Sequence, residues 1–306
     1  MFGEWFYEPA DMNVLARKPG HDGERANRSP SSDAGKTQTA TVRDTFITIR
    51  GLTKYFGQSA VYDNFSFDVP MGKFISIFGP NGCGKSTLIN MISGLMPMDA
   101  GEVLYDGETI GNTQISYVFQ NYRDALFPWL RAIDNIHYPL KIRGVAKSER
   151  ETRVTRLLSE FDVKIDLNAY PYTMSGGQQQ TVSILRALIT EPRVLFLDEP
   201  FSALDYEMTL FMREQLQKIF MKTKTTMLLV SHDLEEAVQL ADYVLLLTRR
   251  PARVAEFVPI DLAWPRSTKT TTSERFVKLK SHCLDVFRRE VGDRDGFSIK
   301  DQGETS

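Results

Sequence analysis

The chain has 306 residues, 42% of them hydrophobic, with 37 Lys and Arg against 39 Asp and Glu and a formal net charge of -2. That length holds one large or two modest domains with a real core, and the balanced charge gives no long-range pull on a polyanion, which argues against nucleic acid as a partner. Cys83 and Cys283 cannot make a disulfide framework, no C-x-x-C pair is present, and no apolar run nears the roughly 18 residues of a membrane span. The opening, with Glu4, Glu8 and Asp11, lacks the basic and apolar regions of a secretory signal, so the chain reads as soluble and cytosolic.

Residues 1–44 are rich in Gly, Ser, Asp, Arg and Thr and read as a disordered extension, with an aromatic start (Trp5, Phe6, Tyr7) that either is an untethered tail or docks on a partner or a membrane surface. From Phe46 the pattern alternates, with Phe65, Phe67 and Val69 marking half-buried strands. Lys73–Phe78 is a buried strand. Leu88, Ile89, Ile92 and Leu95 make a helical face ended by Gly94 and Pro97, and Glu102–Thr109 reads as a hairpin around Asp106-Gly107. Ile115–Phe119 is a further strand, followed by an irregular aromatic segment through Trp129 and then a helical stretch. Ser148 and Glu151 form a capping box for a helix carrying Val154, Leu157, Leu158 and Phe161 on one face. A second helix follows Gly176-Gly177 with Val182, Leu185, Leu188 and Ile189. Val194–Leu197, Thr226–Val230 and Tyr243–Leu247 are short apolar runs separated by helices, the pattern of a parallel α/β sheet. Ser273–Glu290 is a last amphipathic helix.

Gly79-Pro80-Asn81-Gly82-Cys83-Gly84-Lys85-Ser86-Thr87 fits G-x-x-x-x-G-K-[ST] between a buried strand and a helix. Its glycines let backbone N–H groups turn around an anion, the helix start adds its positive dipole end, Lys85 reaches the β- and γ-phosphates and Ser86 ligates Mg²⁺. Asp198 and Glu199 end the apolar strand Val194–Leu197, where ligands of open α/β sheets bind. Asp198 would hold Mg²⁺ through water and Glu199 would polarise the attacking water. Gln120, at a strand end, can touch both the metal and that water, and His232, after Thr226–Val230, can contact the γ-phosphate. Ser175-Gly176-Gly177-Gln178 precedes a helix and offers a second set of phosphate donors, most economically for the nucleotide of another subunit.

The order of Lys85, Gln120, Ser175, Asp198, Glu199, Asp205 and His232 resembles the ATP-binding cassette family. Its Walker A, Q-loop, signature, Walker B, D-loop and switch histidine read here as GPNGCGKST, Gln120, MSGGQ (Met174–Gln178), VLFLDEP (Val194–Pro200), SALD (Ser202–Asp205) and His232. The resemblance covers about residues 46–260. It implies a P-loop NTPase fold with a mixed, RecA-like core sheet, an antiparallel β subdomain and an inserted α-helical signature subdomain at about 122–190. The cassette would run over 45–265, with 266–306 as a C-terminal helix and tail. Phe56 matches the family's adenine-stacking aromatic, with Tyr55 as the neighbouring candidate. Asp205 joins the nucleotide contacts, and Cys83 is expected to be chemically inert.

Ala125–Leu130, Pro200–Asp205, Arg250–Arg253 and Asp261–Arg266 look most like the ATP-binding subunits of nitrate, sulfonate and taurine importers. Two positions depart from the pattern: Thr181 stands where arginine is common, and Gln178 stands where this subgroup often has methionine. The resemblance implies an ATPase at the cytoplasmic face of the membrane, using ATP and Mg²⁺ and paired with a second copy or a paralogue. It would contact separate transmembrane permease subunits and, indirectly, a solute-binding protein. The alternative is a soluble cassette acting on nucleic acid or ribosomes. Such relatives carry two cassettes, a long coiled coil or zinc modules, and none of these is in the sequence.

Overall fold

The computed structural model describes residues 45–121, 125–161, 165–202 and 204–292. The expected N-terminal extension and its aromatic start lie outside them. Two β-sheets and a set of helices around them form the architecture.

β1 (Thr45–Phe56) and β2 (Ser59–Pro70) form an antiparallel hairpin, and β4 (Ala100–Tyr105) pairs with the other edge of β1. This makes a three-stranded sheet of order β2-β1-β4. The second sheet has the order β5-β6-β7-β3-β8-β9. It contains β3 (Phe74–Phe78), β5 (Ile115–Val118), β6 (Val194–Asp198), β7 (Thr226–Val230) and β8 (Tyr243–Leu247), all parallel, with β9 (Val254–Pro259) antiparallel at one edge. β3, β6 and β7 are buried along their whole length, as apolar runs covered on both faces must be.

Successive strand residues point to opposite faces and feed two separate cores. Phe74, Leu195, Leu197, Met227 and Leu229 pack on one side with α2 (Ala132–Ile142), α3 (Lys147–Phe161), α4 (Gly176–Leu188) and α5 (Tyr206–Thr223). Ile75, Ile77, Phe196, Leu228 and Val230 pack on the other with β1, β2 and α1 (Lys85–Ile92). A third cluster joins β8 and β9 to α6 (Leu234–Leu240) and α8 (Glu274–Gly292), with the short α7 (Thr268–Thr271) between them in the chain.

The structure corrects several local expectations. α1 ends at Ile92, and Leu95, expected on its apolar face, is 54% exposed beyond the turn at Gly94. The turn at Asp106-Gly107 exists, with both residues at positive φ, but its return arm is only a Tyr105–Glu108 bridge because β4 pairs with β1 instead. α3 begins at Lys147, so Ser148 lies inside the helix and not at its cap. Glu151 pairs there with Lys147 at 3.7 Å, and the Ser148 carbonyl accepts from Thr152. Val154 and Leu157 are buried as expected, whereas the side chain of Phe161 is outside the described set. A capping box stands instead at α4: Ser175 accepts from the Gln178 amide and Gln178 Oε1 accepts from the Ser175 amide.

The aromatic segment after Gln120 is held by Asn135, which is fully buried. Its Oδ1 accepts from the Phe127 amide at 2.8 Å, and its Nδ2 donates to the Phe127 and Leu130 carbonyls at 3.1 and 3.0 Å. A buried amide satisfied on both ends fixes the turn from Phe127 to Leu130. Leu126 is thereby turned inward, and Trp129, 70% exposed, is turned outward.

Candidate functional site

The phosphate loop leaves β3 at its C-terminal end and enters α1 at Lys85. Gly84 caps α1 with φ 119, and a Cβ there would lie 2.6 Å from Val61 Cγ1. The neighbouring Tyr62, fully buried, donates from its hydroxyl to the Gly84 carbonyl at 3.0 Å and pins the loop to β2. At the other end, a Cβ on Gly79 would sit 2.9 Å from the Leu247 carbonyl oxygen. Only glycine lets the loop lie this close to the sheet.

No side chain caps α1, whereas Ser175, Asp205 and Asp233 cap α4, α5 and α6. The open N–H groups of a helix start, with its dipole, favour an anion. Lys85 is 6% exposed, and its Nζ donates to the Gly79 and Pro80 carbonyls at 2.9 and 3.1 Å, so the charge sits over the loop. Asn81 and Gly82 are exposed at the loop tip and Thr87 is half-buried. Cys83 is 2% exposed with its thiol pushed up by burial, which fits an inert packing role.

Asp198 ends β6 facing α1. Its Oδ1 accepts from Ser86 Oγ at 2.8 Å and its Oδ2 from the Tyr117 hydroxyl at 3.2 Å. Burial raises the Asp198 carboxyl above its ordinary value; the two hydrogen bonds pull against this, and the charge of Glu199 adds to it. Tyr117 was not found by sequence reading. It lies on β5, the strand beside β6, and no spacing rule links it to the carboxylate.

Gln120, Glu199 and His232 converge from three separate strand ends. Glu199 Oε2 accepts from Gln120 Nε2 at 3.0 Å and lies 3.2 Å from His232 Nδ1. Glu199 has φ 43, a conformation that favours glycine, and its backbone is held by its own N–H to the Val230 carbonyl and by two bonds from Ser202 to its carbonyl. A strained non-glycine residue fixed from both sides is a mark of a site where direction matters.

His232 follows Ser231, whose hydroxyl donates to Glu236 Oε2 at 2.6 Å; Glu236 Oε1 in turn accepts from Arg213 Nη2 at 2.8 Å. Ser231, Glu236 and Arg213 are all buried, so α5 and α6 hold the histidine's segment through Arg213, which pairs with Glu236 and, at 3.4 Å, with Asp233. Sequence reading missed this pair because its members lie on different helices.

The remaining predicted residues lie apart from this cluster. Ser175 and Gln178 are committed to the capping box, and a Cβ on Gly177 would meet the Met208 side chain at 2.6 Å, where α4 packs on α5. Asp205 accepts from the Met208 amide as the cap of α5. Phe56 and Tyr55, 49% and 43% exposed, end β1, so neither ring is spent in core packing.

A glycine loop run into an uncapped helix, with a serine and an aspartate across it, defines a P-loop nucleotide hydrolase. Residues 62–202 match the family model described as ABC transporter. An uncharacterized ABC transporter ATP-binding protein of Methanocaldococcus jannaschii is 36% identical over 249 residues, 79% of this chain and 91% of that protein. The aliphatic sulfonates import ATP-binding protein of Bacillus cereus is 35% identical over 251 residues, 79% of this chain and 96% of that protein. The spermidine/putrescine import ATP-binding protein of Thermotoga maritima is 40% identical, covering 66% of this chain and 55% of that protein. A dimeric bacterial ABC transporter cassette aligns with TM-score 0.63 and 29% identity over 71% of this chain and 100% of that chain. Its dimeric form with ADP and Pi aligns at 0.62. The chain belongs to the ABC transporter family, as an ATP-hydrolysing cassette.

Proposed function

We propose that the chain is the peripheral ATPase subunit of an importer for a small anion or organic solute of the nitrate, sulfonate or taurine kind. It would act at the cytoplasmic face of the membrane through separate permease subunits. The observation that carries the ATPase assignment is the meeting of Gln120, Glu199 and His232 beside the Ser86–Asp198 pair. The solute class is supported by the sulfonate relative, matched over 96% of its length against 55% for the polyamine one.

Lys85 would neutralise the β- and γ-phosphates above the open start of α1. Ser86 Oγ and Asp198 are hard oxygen donors 2.8 Å apart, and no cluster of three or more His, Cys, Asp or Glu among the described residues could hold an ion alone. That donor set fits Mg²⁺, which keeps waters and shares substrate phosphates. When bound, the ion would supply charge neutralisation across the transferred phosphoryl group. Glu199 would accept the proton of the attacking water at Oε, with Gln120 and His232 fixing the carboxylate's orientation, and Phe56 or Tyr55 would stack on adenine.

The Ser175–Gly177 turn and Gln178, with Asp205, would face the nucleotide of a second cassette, a copy or a paralogue, in keeping with the dimeric solved relatives. The aromatic segment Leu126–Leu130, with Trp129 held outward by Asn135, would pass the pair's motion to a separate membrane partner, the permease. A solute-binding protein would act only through that permease.

Lys85→Ala is expected to abolish ATP binding in a calorimetric titration, and unchanged affinity would contradict the assignment. Ser175→Arg is expected to leave the affinity of the isolated chain intact while preventing ATP-dependent pairing in sedimentation. An unaffected dimer would remove Ser175 from the partner's site.

A further inference from the structure

At the N-terminal ends of β6 and β7, the far end of the sheet from the phosphate loop, a cavity of about 730 Å³ opens between α3 and α5. This is within the roughly 300–1,000 Å³ range of small-molecule sites. Leu157, Leu188 and Ile219 give it an apolar floor. Its rim is cationic: Arg156, Arg193, Lys218, Lys222 and Lys224 stand against Glu160 and Glu191.

Three of those cations already have partners. Arg156 pairs with Glu191, Lys222 with Glu160 at 2.5 Å, and Arg193 with Asp106 at 3.3 Å while its guanidinium lies over the Phe46 ring. Lys218 and Lys224 have no carboxylate among the described residues, and Lys224 Nζ rests 5.0 Å from the Phe220 ring centroid.

We propose that this cavity binds an amphipathic organic monoanion. Its apolar body lies on Leu157, Leu188 and Ile219, and its carboxylate or sulfonate is held by Lys218 and Lys224. A purely apolar ligand would leave the lysines unused, and a polyphosphate would be set against the floor. The occupant also reaches the hydrolytic site. α4 is capped by Ser175 and ends at Leu188 in the cavity, so a ligand wedged between α3 and α5 biases how the signature helix sits against the sheet whose strand β6 leads into Glu199. Occupancy therefore changes the rate of ATP hydrolysis.

The test titrates the full chain with anilinonaphthalene sulfonate, read by fluorescence, in saturating MgATP. Saturable binding at one site, competed by octanesulfonate, is expected, with a changed ATP turnover at saturation. Lys218→Glu with Lys224→Glu, both exposed, should weaken the probe about tenfold or more at unchanged ATP affinity. Non-saturable binding, equal affinity in the charge-reversed chain, or displacement of the probe by ATP would overturn the site. Unchanged turnover at saturation would overturn the coupling.

Discussion

Glu199→Gln is expected to keep ATP affinity and to lower steady-state hydrolysis by about 10²–10⁴-fold, the range for removing a general base. The amide is nearly isosteric, and the backbone at φ 43 is fixed by main-chain bonds that the substitution leaves alone. The change therefore falls on proton acceptance at the oxygen that Gln120 and His232 address at 3.0 and 3.2 Å. Phosphate release measured beside a binding titration separates the two effects. Near-normal turnover with the amide in place would remove Glu199 from the reaction, whatever its neighbours.

The largest expected stability effect is at Arg266→Ala. This arginine is 1% exposed. It donates to the carbonyls of Ala241 at 2.6 Å, Leu262 at 3.0 Å and Val238 at 3.2 Å, and stacks 4.2 Å from the Trp264 ring. Burial pulls its pKa down to about 10, against the pull of Asp242 and Asp261, so it stays charged at neutral pH. Truncation would orphan buried carbonyls at the end of α6 and leave a void the size of the side chain. Together these should cost about 4 kcal/mol, or about 10 °C in the unfolding midpoint at roughly 2–4 °C per kcal/mol for a domain of this size. Thermal unfolding followed by circular dichroism checks it. A fall below about 2 °C would mean that water replaces the guanidinium at little cost.

Much of the site was legible because its chemistry is local in sequence. The phosphate loop carries its glycines, lysine and serine in nine consecutive residues, and Asp198-Glu199 directly follow an apolar run. Gln120 and His232 were weaker signals that gained meaning from chain order alone, and the structure brings both to Glu199. Tyr62, Tyr117, Asn135 and Arg213 escaped, since each acts across elements distant in sequence. β9 escaped for a related reason: as an antiparallel edge strand with only Val258 fully buried, it lacks the apolar run that marked the central strands. Ser148 misled because Ser-x-x-Glu also occurs inside a charged helix, whereas the capping box at Ser175 was masked by the two glycines beside it.

The ion pair between Arg213 and Glu236 makes the histidine's segment a stiff lever and not a loose flap. If Ser231 moves alone, it breaks a hydrogen bond to the buried carboxylate of Glu236, which stays paired with Arg213, at a cost of about 1.5–3 kcal/mol. A displacement at His232 is thus felt, through Glu236 and Arg213, at the helix that begins at Asp205.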